Sequence, residues 1–342
     1  MANENTVDIV SDAELLLHRY DETNDNYQFV QVSRDVHRAS TFLTDQHLPK
    51  DLASVVLRRI DTIRDIPTGA PVHFIFHSAY CCSTMLARAF DIEGISMGLK
   101  EPVVLNDMVG WKRRGSDPKK LAEVLDQSMR WLSKPFTRGE SIIIKPSNIV
   151  NILAMGILAL RPNAKAVLLH APLRTYLQSI AKKNLWGRLW VRTLLIGQIK
   201  DRMIEPFGMT NDDLLALSDL QVAAIGWLAQ HSLFNMTIAR MGGDRVKSLN
   251  SENFLANKRE TMTRLRELYE LDIPDHRLDE VLGGPAFVTH SKTGADFGSQ
   301  EREREHIDAA KLHIDEIEKV EAWALSTAER MRIPITLGSP LF

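Results

Sequence analysis

Cysteine is scarce in this sequence: among 342 residues only Cys81 and Cys82 occur, side by side. Adjacent cysteines bridge only under strain, so a disulfide framework is excluded. With no separated Cys pairs and no H-E-x-x-H, a metal site is not expected. No apolar run of about 18 residues is present, so neither a transmembrane helix nor a membrane partner is expected. The opening stretch MANENTVDIVSDAELLLHRYDE lacks a basic region followed by an apolar core. A secretory leader is therefore not expected, and the expected compartment is cytoplasmic. An excess of one charge sign is also missing. The net charge is −2 and there is no polybasic tail, which disfavours nucleic acid as a main partner. Internal repeats and low-complexity tracts are absent too.

What remains is ordinary for a globular protein, with 44% hydrophobic and 25% charged residues. The length exceeds an average domain but suits one large α/β domain with insertions. Residues 1–70 read as a mixed N-terminal segment packed on the core. In it, Tyr27 to Val32 alternates as a strand does, Leu52 to Ile63 has helical spacing of apolar residues, and Pro67-Thr68-Gly69 is a turn that marks a boundary. From Val72 onward strand and helix alternate. Val72 to Phe76, Ser96 to Lys100, Ile142 to Ile144 and Ala166 to Leu169 are strand-length runs. Helical stretches lie at 84–90, 121–132, 149–160 and 174–183. This order argues for parallel βαβ units and a three-layer α/β fold. Residues 71–342 are thus expected to form one domain with a helical insertion at 188–241 and a C-terminal helix at 302–332. A strand at 245–249, a helix at 258–270 and a loop at 283–299 complete it.

The turn after Phe74-Ile75-Phe76 is the most informative stretch. A strand, a tight turn of small residues (HSAYCCST) and a helix start make an anion site. The first N–H groups of a helix lack an intrahelical partner, and the helix dipole favours negative charge there. Ser83 and Thr84 open the helix, and their hydroxyls can donate to phosphate oxygens; the plain alternative is a βα turn capped by Ser83. The Walker pattern G-x-x-x-x-G-K-[ST] is absent, because the turn has no glycine and no lysine precedes Ser83. Mg²⁺-dependent hydrolysis of ATP or GTP is disfavoured accordingly.

Four segments, in order, resemble the sulfotransferase family. FIFHSAYCCSTMLARAF resembles the family's 5′-phosphosulfate loop, in which a strand runs into Pro-(Arg or Lys)-Ser-Gly-Thr-Thr and a helix. Ser83 and Thr84 fall on the Thr pair, Cys81 on the Ser, Cys82 on the Gly and Tyr80 on the basic residue. SMGLKEP, at 96–102, is similar to the next strand, which carries a catalytic glutamate in several members; Glu101 occupies that position. IIIKPSNIVNILAMGILALRPNAKAVLLHAPLRTYLQSIAKK resembles K-x-P, a helix, FP-x-A-K, a strand, Arg-Asp-Pro and a serine-bearing helix. Lys145, Pro146 and Asn148 match its start, Pro162 to Lys165 its middle, and Pro172 and Ser179 its end. SENFLANKRETMTRLRELYEL is similar to the YEDLL-x-DP segment through Glu252, Phe254 and Leu255. The resemblance covers roughly 70–280, four ordered motifs being more specific than any one of them. Its departures remove cations. Tyr80 replaces a basic residue, His170 replaces the arginine before the proline, and the proline-to-serine spacing is one residue longer.

The resemblance implies a P-loop-type fold that uses 3′-phosphoadenosine 5′-phosphosulfate as co-substrate, with a small-molecule hydroxyl or amine as acceptor. It implies Glu101 as base and Lys145, at a strand end, touching the bridging oxygen. Ser78, Ala79, Tyr80, Cys81, Cys82, Ser83 and Thr84 would cradle the 5′-phosphate. Arg174 and Ser179 would contact the 3′-phosphate, and Lys292, in the loop before the last helix, would close over the nucleotide. Read from the residues alone, Glu101 is a salt-bridge partner before it is a base, and Lys145 is a strand-end lysine reaching solvent. His77 is an acid or base, or a histidine bonded to backbone near the turn. Arg174, Ser179, Lys182 and Lys183 also suit a solvated helix face. Cys81 and Cys82 at a helix N-terminus allow a thiol nucleophile or redox switch, or simply fill a tight turn. Trp186 and Trp190 stack on an adenine, line an acceptor pocket, or belong to the core. Three functions are therefore expected in order: sulfuryl transfer, a catalytically degenerate binder of a nucleotide or phospho-ligand, and a kinase-like phosphotransferase, which the missing Walker lysine argues against. The acceptor and the oligomeric state are not readable from sequence.

Overall fold

The computed structural model describes residues 9, 10, 12–288 and 299–342; for residue 65 and residues 299–312 it describes the backbone alone. The chain has an α/β fold. Strands β1 (Leu15–Asp21), β2 (Asn26–Gln31) and β3 (Ser54–Arg58) form an antiparallel sheet. Strands β4 (Val72–His77), β5 (Ser96–Lys100), β6 (Ser141–Lys145), β7 (Ala166–His170) and β8 (Val246–Asn250) form a five-stranded parallel sheet in the order β5-β6-β4-β7-β8. All four of its pairings are parallel, with Phe74 opposite Ile144 on one side and Ala166 on the other.

The central strands are continuous apolar runs because both of their faces are covered. Side chains alternate between two core layers. Phe74, Phe76, Ile142, Ile144 and Leu168 enter one, shared with helices Val104–Arg113 and Pro118–Leu132 and with Leu17, Tyr27 and Phe29 of the antiparallel sheet. Ile75, Ile143, Val167 and Leu169 enter the other, beneath helices Ser83–Ala89, Leu173–Lys182 and Lys258–Leu268. Two long helices, Asn184–Lys200 and Asp219–Met241, pack against each other beside this second layer. The three layers and the helical addition are those the sequence led us to expect.

Three local features fix the strand ends. Gly98 lets helix Ser83–Ala89 lie directly on β5, since a Cβ there would sit 2.2 Å from the Ala87 carbonyl oxygen. The buried Tyr269 hydroxyl donates to the Phe74 carbonyl at 2.9 Å, anchoring the C-terminal helices to the middle strand. At the far edge, Ser248 of β8 pairs with residues 339–341: its N–H donates to Ser339 O at 2.8 Å and its carbonyl accepts from Leu341 N at 2.9 Å.

Some elements differ from expectation; within the expected loop at 283–299, for example, Pro285–Val288 is a short helix and residues 289–298 lie outside the described residues. Leu52 to Ile63 is not a helix but β3 followed by the short helix Arg59–Thr62. Its apolar residues satisfy either period, and the β-branched Val55 and Val56 pair across β2, with Val55 opposite Phe29 and Leu57 opposite Tyr27. Pairing with a partner strand overrides the local spacing. The expected helix at 149–160 begins as a 3₁₀ turn, Asn148–Leu153, before the α-helix Ala154–Leu160.

Candidate active site at the strand ends

The chain leaves β4 through a strained turn. Ser78 N–H still pairs with Leu169 O at 3.0 Å, extending the β4–β7 ladder by one residue. Ala79, Tyr80 and Cys82 then adopt left-handed backbone, with φ of 71°, 52° and 63°. A non-glycine residue pays about 1 kcal/mol or more for this conformation, and such residues concentrate at ligand sites. Cys82 is the N-cap of helix Ser83–Ala89, with no side-chain cap. Glu101, just past β5, has a φ of 55° and its N–H donates to Lys145 O at 2.7 Å. The turn residues and Glu101 are thus held by the surrounding sheet rather than by their own preference.

Lys145, at the last position of β6, is almost fully buried, with 1% of its side chain exposed. Its ammonium pairs with Glu101 Oε1 and lies 4.9 Å above the centre of the Phe42 ring. His77 closes β4 beside this pair, with Nε2 3.9 Å from Glu101 Oε1. Its Nδ1 accepts from Ala79 N–H at 3.1 Å, so Nε2 carries the proton and donates to Pro146 O at 3.0 Å. His77 therefore buttresses the turn. Asn151 supports it from below, donating to His77 O at 2.9 Å and to Gln230 Oε1 at 2.6 Å.

Above these groups opens a cleft of about 290 Å³, lined by residues 79–84, Glu101, Lys145, Ser147, Asn148 and the Trp186–Trp190 pair. Trp190 meets Tyr80 edge-on at 5.3 Å and lies nearly parallel to Trp186 at 6.5 Å. The Asn148 Nδ2 is buried without a hydrogen-bond partner, an unusual state for an amide and a mark of a place where a ligand acceptor fits. Lys145 is the only lysine or arginine among the described residues of the lining. Burial, helped by neighbouring Cys82, pushes the Cys81 thiol up to about 11, so Cys81 is a neutral packing residue at pH 7.

The structure brings together Glu101, Lys145, His77 and the turn, but not Arg174 or Ser179. Arg174 pairs with Glu321 at 2.6 Å and Glu318 at 3.6 Å on helix Ser299–Met331. The Ser179 hydroxyl donates to Thr175 O, 2.9 Å away within its own helix. Neither lines the cleft. His170, where the resemblance expects an arginine, is driven down to about 4 by burial and sits edge-on to His231 at 5.1 Å. It supplies no positive charge at neutral pH. Lys292 lies outside the described residues. Sequence reading missed Phe42, Asn151 and Gln230. Phe42 carried no signal because it reaches the site from the distant N-terminal segment; the two amides were hidden in apolar helical stretches.

No protein-family model matches the chain, and no curated protein is similar to it. Two sulfotransferase domains are among the similar solved structures. One is the sulfotransferase domain from the curacin biosynthetic pathway, 9% identical, with a TM-score of 0.39 over 67% of this chain and 85% of that one. The other is the sulfotransferase domain of the Synechococcus PCC 7002 olefin synthase, 12% identical, with a TM-score of 0.37 over 68% and 84%.

Proposed function

We propose that the chain is a sulfotransferase-type enzyme that moves a sulfuryl group from 3′-phosphoadenosine 5′-phosphosulfate to a hydroxyl or amine of a small acceptor. The observation that carries this reading is the Lys145–Glu101 pair, buried at the carboxyl ends of adjacent parallel strands beside the strained turn. Open α/β sheets bind ligands at such strand ends. In the proposed step, Glu101 takes the proton from the acceptor as its oxygen or nitrogen attacks sulfur. The bond from sulfur to the 5′-phosphate oxygen breaks, and the bisphosphate leaves. The ammonium of Lys145, released from Glu101 as that carboxylate is protonated, neutralises charge on the departing oxygen. Backbone N–H groups at the start of helix Ser83–Ala89 and the Ser83 and Thr84 hydroxyls hold the phosphate.

A second reading rests on the same lining: a single lysine faces a donor that carries several negative charges. On that reading the chain binds a phospho-ligand without transferring sulfate. Calorimetric titration with adenosine 3′,5′-bisphosphate separates them from a protein of another function. Saturable binding is expected, and no heat at millimolar ligand would overturn both readings. Binding without transfer of labelled sulfate to any hydroxyl or amine acceptor tried would leave the second.

A further inference from the structure

We infer that the chain carries a second anion site, built around Arg88 and Arg277 at the β5 edge of the sheet, for the oxyanion head of a small organic molecule with an apolar body. The cavity measures about 340 Å³ and shares no lining residue with the Glu101–Lys145 cleft. It opens where the last turn of helix Ser83–Ala89 meets Gly98 of β5 and helix Asp275–Gly283.

The cations there outnumber their partners. Arg88 is half-buried, its Nε is shielded from solvent without a hydrogen-bond partner, and no carboxylate among the described residues pairs with it. Burial alone lowers its guanidinium. Arg277 Nε is likewise without a hydrogen bond, although Glu280 lies 3.2 Å away as an ion pair. Lys100 gives two N–H groups to the carbonyls of His37 and Arg38, at 2.6 and 3.1 Å. Of the two acids in the lining, Asp91 is held by Arg34 and Arg38, at 2.9 and 2.8 Å, and Glu280 by Arg277. Among the described residues Arg88 is thus left without a counter-ion, and burial with the nearby Arg88 charge lowers Lys100 to about 7. A desolvated guanidinium with no partner is costly, and a bound oxyanion removes that cost by accepting two parallel N–H bonds from the fork. The rest of the wall, with Ile92, Val281 and Ala286, is apolar and suits the body of the ligand rather than a bare ion.

Calorimetric titration of the whole chain with phenyl phosphate tests this. With the strand-end cleft filled by adenosine 3′,5′-bisphosphate, saturable binding of the probe at one site is expected, with Arg88→Gln weakening it at least about tenfold and Arg277→Gln weakening it less. Lys145→Gln, in the other cleft, is expected to bind the probe as wild type does. No saturation at millimolar probe, unchanged affinity in Arg88→Gln, or a loss that follows Lys145→Gln instead would overturn the site. Inorganic phosphate binding as tightly as phenyl phosphate would overturn the apolar body. Phenyl sulfate and benzoate, titrated alongside, tell which oxyanion fits best. Without ligand, Arg88→Met is expected to raise the melting temperature, because an uncompensated charge is lost; a lowered one contradicts the premise.

Discussion

At the carboxyl ends of β4, β5 and β6 charged side chains meet in an open cleft, whereas past the end of β7 the side chains expected to bind the nucleotide are engaged by neighbouring helices. His77, Glu101 and Lys145 surround one cavity. Arg174 is matched by Glu318 and Glu321, Ser179 by its own helix, and His170 by burial against His231. Arg174 and Ser179 stand on the helix that follows β7 rather than on a strand, and what packs around them differs. Helix Ser299–Met331 supplies the carboxylates that hold Arg174, while the turn, the Trp186–Trp190 pair, Ser147 and Asn148 border the first group. Strand-end position marks a candidate, and the partners left over decide whether it is available.

Substitutions on the two sides sharpen this contrast. The largest effect belongs to Glu101→Gln, expected to lower sulfuryl transfer about 10²- to 10⁴-fold while adenosine 3′,5′-bisphosphate binds nearly as before. Ser179→Ala is expected to change neither. Equal losses from the two variants in a transfer assay would erase the distinction between the sides.

Acid should act next, and on stability. Burial holds His170 and His73 near 4 and His37 near 3, below the ordinary value of 6.5. The unfolded chain therefore binds protons that the folded one refuses. The stability these neutral rings contribute is fully present above about pH 6.5 and declines as pH falls toward 4, by about 1.4 kcal/mol per pH unit for each proton. Denaturant titrations between pH 7 and 4 check this, and His73→Gln is expected to flatten the slope by one proton.

Arg174→Ala tests the second side directly. Its ion pairs are exposed, so the stability change expected is under about 1 kcal/mol, with no change in affinity for the bisphosphate. A loss of affinity of about tenfold would return Arg174 to the site. The smallest effect is Cys82→Gly, expected to raise the melting temperature slightly by relieving the left-handed strain at φ 63°. A lowered value would mean that the thiol contributes more than the strain costs.

Most of the parallel sheet was legible because buried strands such as VHFIFH and SIIIK are continuous apolar runs, which few other structures need. The segment Leu52 to Ile63 was misread because its spacing fits two periods and the deciding partner, β2, lies far back in the chain. At the site, Glu101 and Lys145 were legible as charges at strand ends. For His77 the sequence left two roles open, and the geometry shows both its ring nitrogens meeting backbone groups. The neutral state of His170 was not legible, because it depends on the packing of the distant His231.

The seam between β8 and residues 339–341 has a practical consequence. A parallel sheet ending in an uncovered strand presents a row of free N–H and C=O groups on which another chain can polymerise. Here a short stretch of the same chain occupies part of that row. Trimming residues 338–342 would leave the Glu101–Lys145 cleft untouched yet offer β8 to its neighbours, so the truncated protein should cloud on standing at concentrations where the full chain stays clear.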